Sequence, residues 1–148
     1  YPLYYQNVMG FMSKNLKKDF FKVDFSYQLE IARKAKEAGA KSITLISASG
    51  ADSNSWNYYL KTKGMLEKEI IKLGFETTNI FQPGHLRGNK FRLDIIFADL
   101  VSIVIDPFLF GPLKKFRSIS VKKLSSSVIN YSLSRLKGVN YFEFEDFL

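Results

Sequence analysis

An α/β chain with parallel strands is predicted by three features of these 148 residues. Ile43, Thr44, Leu45 and Ile46 form a short β-branched, apolar run that reads as a buried strand. A helical stripe from Phe25 to Ala38 leads into it. A second helical pattern, Asn57 to Leu73, leads out of it towards another strand, Phe75 to Phe81. Helices alternating with strands make βαβ units, whose crossovers are right-handed. At 46% hydrophobic, the chain has enough apolar material for one domain with its own core.

Each element has a local reason. Tyr1 to Gly10 is aromatic and lacks a basic n-region, so it does not read as a signal peptide. Asp24 is a good N-cap for the first helix, Tyr27, Ile31, Ala35 and Ala38 mark its apolar face, and Gly39 suits its C′ position. The strand at Ile43 ends in Ser47, Ala48, Ser49 and Gly50. A polar loop follows, and the next helix is closed by Gly74. Phe75 to Phe81 ends at Gln82-Pro83-Gly84, again at a carboxyl edge.

Phe91 to Phe110 is apolar but interrupted by Asp94, Asp99 and Asp106, short of the about 20 apolar residues of a membrane span. It predicts a buried helix with the aspartates on its wet side, broken by Gly111-Pro112. A last helix, Val121 to about Leu136, precedes an alternating strand, Val139 to Phe144. Repeats, linkers and low-complexity segments are absent from the sequence.

Composition narrows the chemistry. With no cysteine, disulfides, thiolate zinc sites and a cysteine nucleophile are excluded, and a reducing compartment is expected. The formal charge of +8 favours phosphate-rich partners by steering. Lys14, Lys17 and Lys18 read as a solvated loop. Lys114, Lys115, Arg117, Lys122 and Lys123 form the densest basic cluster, but Phe116 alone does not supply the interleaved aromatics of a nucleic-acid surface. His85, the only histidine, has no partners at metal-ligand spacing and reads as a pocket-border residue; no metal site is expected.

The candidate chemistry lies between Ser47 and Lys63. Tyr59 and Lys63 are four apart and share a helix face, while Ser47 stands at a strand's carboxyl end, where open α/β sheets place ligands. A phenol titrates near ~10 when unperturbed, and a nearby ammonium favours its phenolate, bringing it closer to useful general acid–base range. A serine hydroxyl can hold a substrate carbonyl oxygen as charge develops there. Of the eight tyrosines, only Tyr59 has a lysine four residues on. Spacing alone also fits a tyrosine packed under a lysine stem on an ordinary amphipathic helix.

The strand, Ser47, the Gly50-Ala51-Asp52 loop, Tyr59, Lys63 and Phe81-Gln82-Pro83-Gly84 together resemble the short-chain dehydrogenase/reductase superfamily. The likeness is to its atypical branch around the Tat-interacting oxidoreductase and fungal mitochondrial relatives, and it extends from about Val8 to the end. Gln82 departs from the arginine common there.

The resemblance implies a Rossmann-like parallel sheet with flanking helices. Its catalytic trio would be Ser47, Tyr59 and Lys63, its hydride carrier NADP(H), with NAD as the alternative, and its substrate a small carbonyl compound. Gly10 would end a central strand and border the cofactor. Phe11 to Phe21 would pass over it as a loop, and Tyr59, Lys63, Pro83, Gly84, His85 and Leu86 would contact its nicotinamide end. Arg117 to Val121 would be a short strand before the last helix.

Neither Gly-x-Gly-x-x-Gly nor Gly-x-x-Gly-x-x-Gly occurs among the nine glycines, although a pyrophosphate cradle depends on such a turn. By the resemblance, residues 1–148 are then a single truncated domain, the C-terminal, catalytic portion from about the fourth strand onward. Two readings stand: the catalytic half of an NADP(H)-dependent oxidoreductase, expected to be inactive alone, or a non-catalytic interaction protein keeping that fold. An open sheet edge would invite a protein partner. The expected location is the cytoplasm, with the mitochondrial outer-membrane periphery as the alternative.

Overall fold

The computed structural model describes residues 14–87, 105–134 and 136–148. Their architecture is α/β and Rossmann-like: a parallel three-stranded sheet flanked by helices. Strand β1 (Ser42–Ile46) pairs with β2 (Thr77–Phe81), and β2 pairs with β5 (Gly138–Phe142), so β2 lies in the middle. A two-stranded parallel ladder joins β3 (Leu86–Arg87) to β4 (Ile119–Ser120). The helices are α1 (Lys14–Phe21), α2 (Gln28–Glu37), α3 (Tyr58–Lys72) and α4 (Val121–Leu133).

Pleating sorts the core into two faces, because successive strand residues point oppositely. Leu45, paired in register with Ile80, packs with Leu29 and Ala32 of α2 and Leu66 and Ile70 of α3. Phe81 and its register partner Phe142 turn the other way and pack with Leu124 of α4, Ile119 and Phe147. The Phe81 and Phe142 rings stack with centroids 4.6 Å apart. On the α4 side, Asn140 donates its amide to Asn79 Oδ1 across the ladder at 3.1 Å, which satisfies a polar pair between apolar layers.

Four stretches differ from the pattern-based expectation. The loop expected over 11–21 is helical from Lys14, and residues 11–13 lie outside the described residues. Asp24 is not an N-cap: α1 runs through a π-helical segment, Lys22–Tyr27, into α2 as one rod. A π turn carries extra backbone per turn, and here Phe21 and Phe25 stack with centroids 4.5 Å apart.

The third is the apolar stretch 91–110, of which 91–104 fall outside the described residues. Its remainder is not a buried helix: Asp106–Phe108 is a single 3-10 turn, and Phe108 and Phe110 are exposed. Nor is Asp106 on a wet side. Its carboxylate accepts from the Ser118 backbone N–H at 3.1 Å and from the Ser118 hydroxyl, and Ser118 is buried. Gly111, at φ 55°, starts a further 3-10 segment, Gly111–Phe116. The expected strand ending at Phe144 stops at Phe142, and a 3-10 turn, Phe144–Phe147, follows with a capping box between Glu143 and Asp146.

Candidate active site

The carboxyl ends of β1 and β2 are zipped beyond the strands themselves. Ser47 N–H donates to Phe81 O at 2.7 Å, and Ser49 N–H donates to Pro83 O at 2.9 Å. These bonds hold Ser47-Ala48-Ser49 against Pro83-Gly84. Gly50, at φ 79°, then turns the chain into the loop that Asp52 stabilises by accepting from Asn54 N–H. Asn57 caps α3, its side-chain oxygen accepting from the N–H groups of Tyr59 and Leu60 at 2.9 and 3.2 Å. The cap sets the first turn of α3, and with it the direction of Tyr59.

Two glycines allow the close approaches around this corner. A Cβ on Gly64 would stand 2.4 Å from backbone atoms of Asp52 and Ser53, so only glycine lets the loop lie on α3 beside Lys63. A Cβ on Gly84 would stand 2.5 Å from Arg117 O, so Gly84 lets the 116–117 backbone cross the end of β2.

The result is a cleft of about 440 Å³. Ser47, Tyr59, Lys63, Pro83, Gly84, His85 and Leu86 all line it. Gly10, the remaining expected cofactor contact, lies outside the described residues. Ile46, Ala48, Leu60 and Phe116 add apolar wall. Ser49 also lines it and was missed by pattern reading, although it stands two residues from Ser47 at the same strand end. The Ser47 and Ser49 side-chain oxygens are both buried and make no hydrogen bond among the described residues.

Lys63 is where geometry adds most. Its side chain is 9% exposed, and its ammonium lies over the Tyr59 ring, 5.9 Å from the centroid. The same ammonium donates to Asp24 Oδ1 at 2.7 Å. Asp24 is 39 residues away in sequence, and its apparent capping role masked it from pattern reading. Four residues past Lys63, buried Glu67 accepts from the Gln82 amide at 2.9 and 3.1 Å. The pair ties α3 to the end of β2. Tyr141, on the neighbouring strand, titrates above the ordinary tyrosine value because burial and then the Glu67 charge oppose its ionisation.

Among the described residues, no group of three or more His, Cys, Asp or Glu is placed to hold a metal ion, and no helix is long and apolar enough to cross a membrane.

No protein-family model matches the chain. It is similar to fungal proteins named "Protein FMP52, mitochondrial". Identity is 45% over 73 residues with that of Candida albicans, covering 49% of this chain and 32% of the relative. It is 43% over 91 residues with that of Lodderomyces elongisporus, covering 60% and 38%. With that of Coccidioides immitis it is 37% over 113 residues, covering 74% and 46%. The matches thus span less than half the length of each of these curated relatives.

Two expectations are corrected. These relatives are named neither as short-chain dehydrogenase/reductases nor as the Tat-interacting oxidoreductase. A serine-ended strand followed by Tyr-x-x-x-Lys is a local arrangement, too short to carry a family assignment. The cytoplasmic expectation gives way to relatives named as mitochondrial, since a cysteine-free chain suits any reducing compartment. Similarity to mitochondrial FMP52 proteins of fungi is the relationship the comparisons establish.

Proposed function

We propose that the cleft is the proton-transfer site of an NADP(H)-dependent oxidoreductase acting on a small carbonyl compound or its alcohol. The observation that carries this reading is the convergence of Ser47, Tyr59 and Lys63 on one cleft at the carboxyl ends of parallel strands, with the Lys63 ammonium over the Tyr59 ring. The residues present fit a nicotinamide and a small substrate. The volume lies in the ordinary range for small-molecule sites, roughly 300–1,000 Å³, and most of the wall is apolar. The buried Ser47 hydroxyl, unpartnered among the described residues, leaves a hydrogen bond to be made.

Lys63, Tyr59 and the backbone from Pro83 to Leu86 would hold the nicotinamide end. When bound, the nicotinamide supplies the hydride that the carbonyl carbon accepts. Tyr59 gives its phenolic proton to the carbonyl oxygen, so the electron pair of the broken π bond ends in the new O–H bond. Ser47 donates a hydrogen bond to the same oxygen while its charge develops. Lys63 stabilises the phenolate that remains, which is reprotonated from water; in the alcohol direction that phenolate takes the proton. Following the names of its relatives, we place the protein in mitochondria.

A rival reading is a non-catalytic interaction protein on the same scaffold. One experiment separates the two. In a chimera where this chain replaces the matching segment of the longer Candida albicans relative, NADPH oxidation is followed with a panel of aldehydes and ketones. Carbonyl-dependent turnover that falls about 10²–10⁴-fold in Tyr59→Phe supports the oxidoreductase. No carbonyl-dependent turnover favours the interaction protein, and a loss under tenfold in Tyr59→Phe rejects Tyr59 as the acid–base group.

A further inference from the structure

We propose that Asp24 is the positioning residue of this site: from the π-helical segment it holds the Lys63 ammonium over the Tyr59 ring and thereby sets the proton affinity of the phenol. The inference rests on reading Tyr59 as the proton-transfer group. Three observations carry it. Asp24 Oδ1 lies 2.7 Å from Lys63 Nζ. The same Nζ lies 5.9 Å from the Tyr59 ring centroid, within cation–π range. Asp24 stands on the one π-helical segment among the described elements, in the middle of an otherwise α-helical rod.

The π segment has a physical role in this placement. It is pinned by Phe25, which packs against the apolar core with Leu29 and Leu66, and by the Phe21–Phe25 stack. Removing the extra backbone would turn Asp24 about the helix axis, away from Lys63. The contact also solves an electrostatic problem. Lys63 is nearly enclosed, and an enclosed ammonium without a counter-charge is driven towards water. Asp24 is more open, at 27% exposure against 9% for Lys63, so it is the outer member of the pair. Without it, the flexible lysine stem has reason to leave the ring.

Among the described residues, these charged and titratable groups stand on the elements around Tyr59. Lys63 is on its own helix, Asp24 on the π segment, and His85 across the cleft. Lys17 of α1 lies over the neighbouring Tyr58 ring, 5.3 Å from its centroid. Asp24 acts on Tyr59 in two opposite ways. As a negative charge it disfavours the phenolate directly. As the holder of Lys63 it favours the phenolate, by keeping a cation in place. Positioning is the claim that the second effect wins.

The sign of one shift tests it without any cofactor. The chain is labelled at the tyrosine ring carbon bearing the hydroxyl, Tyr59 is assigned by the signal lost in Tyr59→Phe, and the resonance is titrated into alkali. Asp24→Ala is expected to move the Tyr59 midpoint upward, as Lys63→Met does, and Asp24→Glu to bring it back. The other seven tyrosines are internal controls and keep their midpoints. A downward shift would mean that Asp24 acts only through its own charge, and an unmoved midpoint that the ion pair is merely structural; either overturns the proposal. If Asp24→Ala unfolds, Asp24→Asn keeps the shape without the charge, and the same upward shift is required of it. Failure here leaves the chimera assay untouched, and failure of that assay leaves this titration interpretable.

Discussion

At the scale of single residues, the cleft is not arranged for stability. Ser47 and Ser49 each keep a buried hydroxyl without a partner among the described residues, and such a group carries a desolvation penalty of about 1–3 kcal/mol. If their role is to meet a ligand, removing the hydroxyls costs the fold nothing. Ser47→Ala and Ser49→Ala are therefore expected to leave the unfolding free energy unchanged or raise it by up to about 1 kcal/mol. Denaturant melts of the isolated chain check this, and a loss above 1 kcal/mol for Ser47→Ala would make its hydroxyl structural. In the chimera, Ser47→Ala should lower turnover by about 10²–10³-fold, the usual cost of one donor to a developing oxyanion. Ser49→Ala, one position further along the edge, should cost less.

At the scale of elements, the helix that carries Tyr59 and Lys63 is placed by a glycine that works against helix propensity. Gly64→Ala in an open helix gains about 1 kcal/mol. Here the added Cβ meets the Asp52 and Ser53 backbone at 2.4 Å, which a backbone cannot relieve cheaply. The variant is expected to lose about 1–3 kcal/mol net; stabilisation on melting would show that the loop does not rest on α3.

That glycine was visible in the sequence only as a helical residue, because its reason lies in a contact with the preceding loop. The strands at 42–46 and 77–81 and helix α3 were legible from apolar and β-branched runs, the helical pattern from Asn57 and the closing Gly74. Helix α1 was not. Its Leu16 and Phe20 are four apart, but the lysines around them read as a solvated loop. The π segment was hidden by Asp24 itself, whose residue type suits an N-cap as well as an ion pair. Ser47, Tyr59 and Lys63 could be picked out by spacing, whereas the Asp24–Lys63 contact joins positions that only the tertiary fold brings together.

At the scale of the whole molecule, β2 lies between β1 and β5, and the cleft opens where β1 and β2 end. On the proposed reading the residues around it would hold the nicotinamide end of a dinucleotide, whereas no glycine-rich turn of the kind that cradles a pyrophosphate occurs in these 148 residues. The affinity of this chain should then be insensitive to everything beyond the first ribose. Reduced nicotinamide mononucleotide and NADPH are expected to bind the folded chain weakly and within about tenfold of each other, a difference of under about 1.4 kcal/mol. Calorimetry with the two ligands, on a preparation whose fold is checked by its melting transition, measures the ratio. Binding of NADPH more than about 100-fold tighter would reveal a pyrophosphate site elsewhere in the chain. If neither ligand binds, and neither perturbs the labelled Tyr59 resonance at saturating concentration, the nicotinamide assignment of the cleft is wrong. Should both bind, Lys63→Met should weaken both by the same factor, because the contact it makes belongs to the part they share.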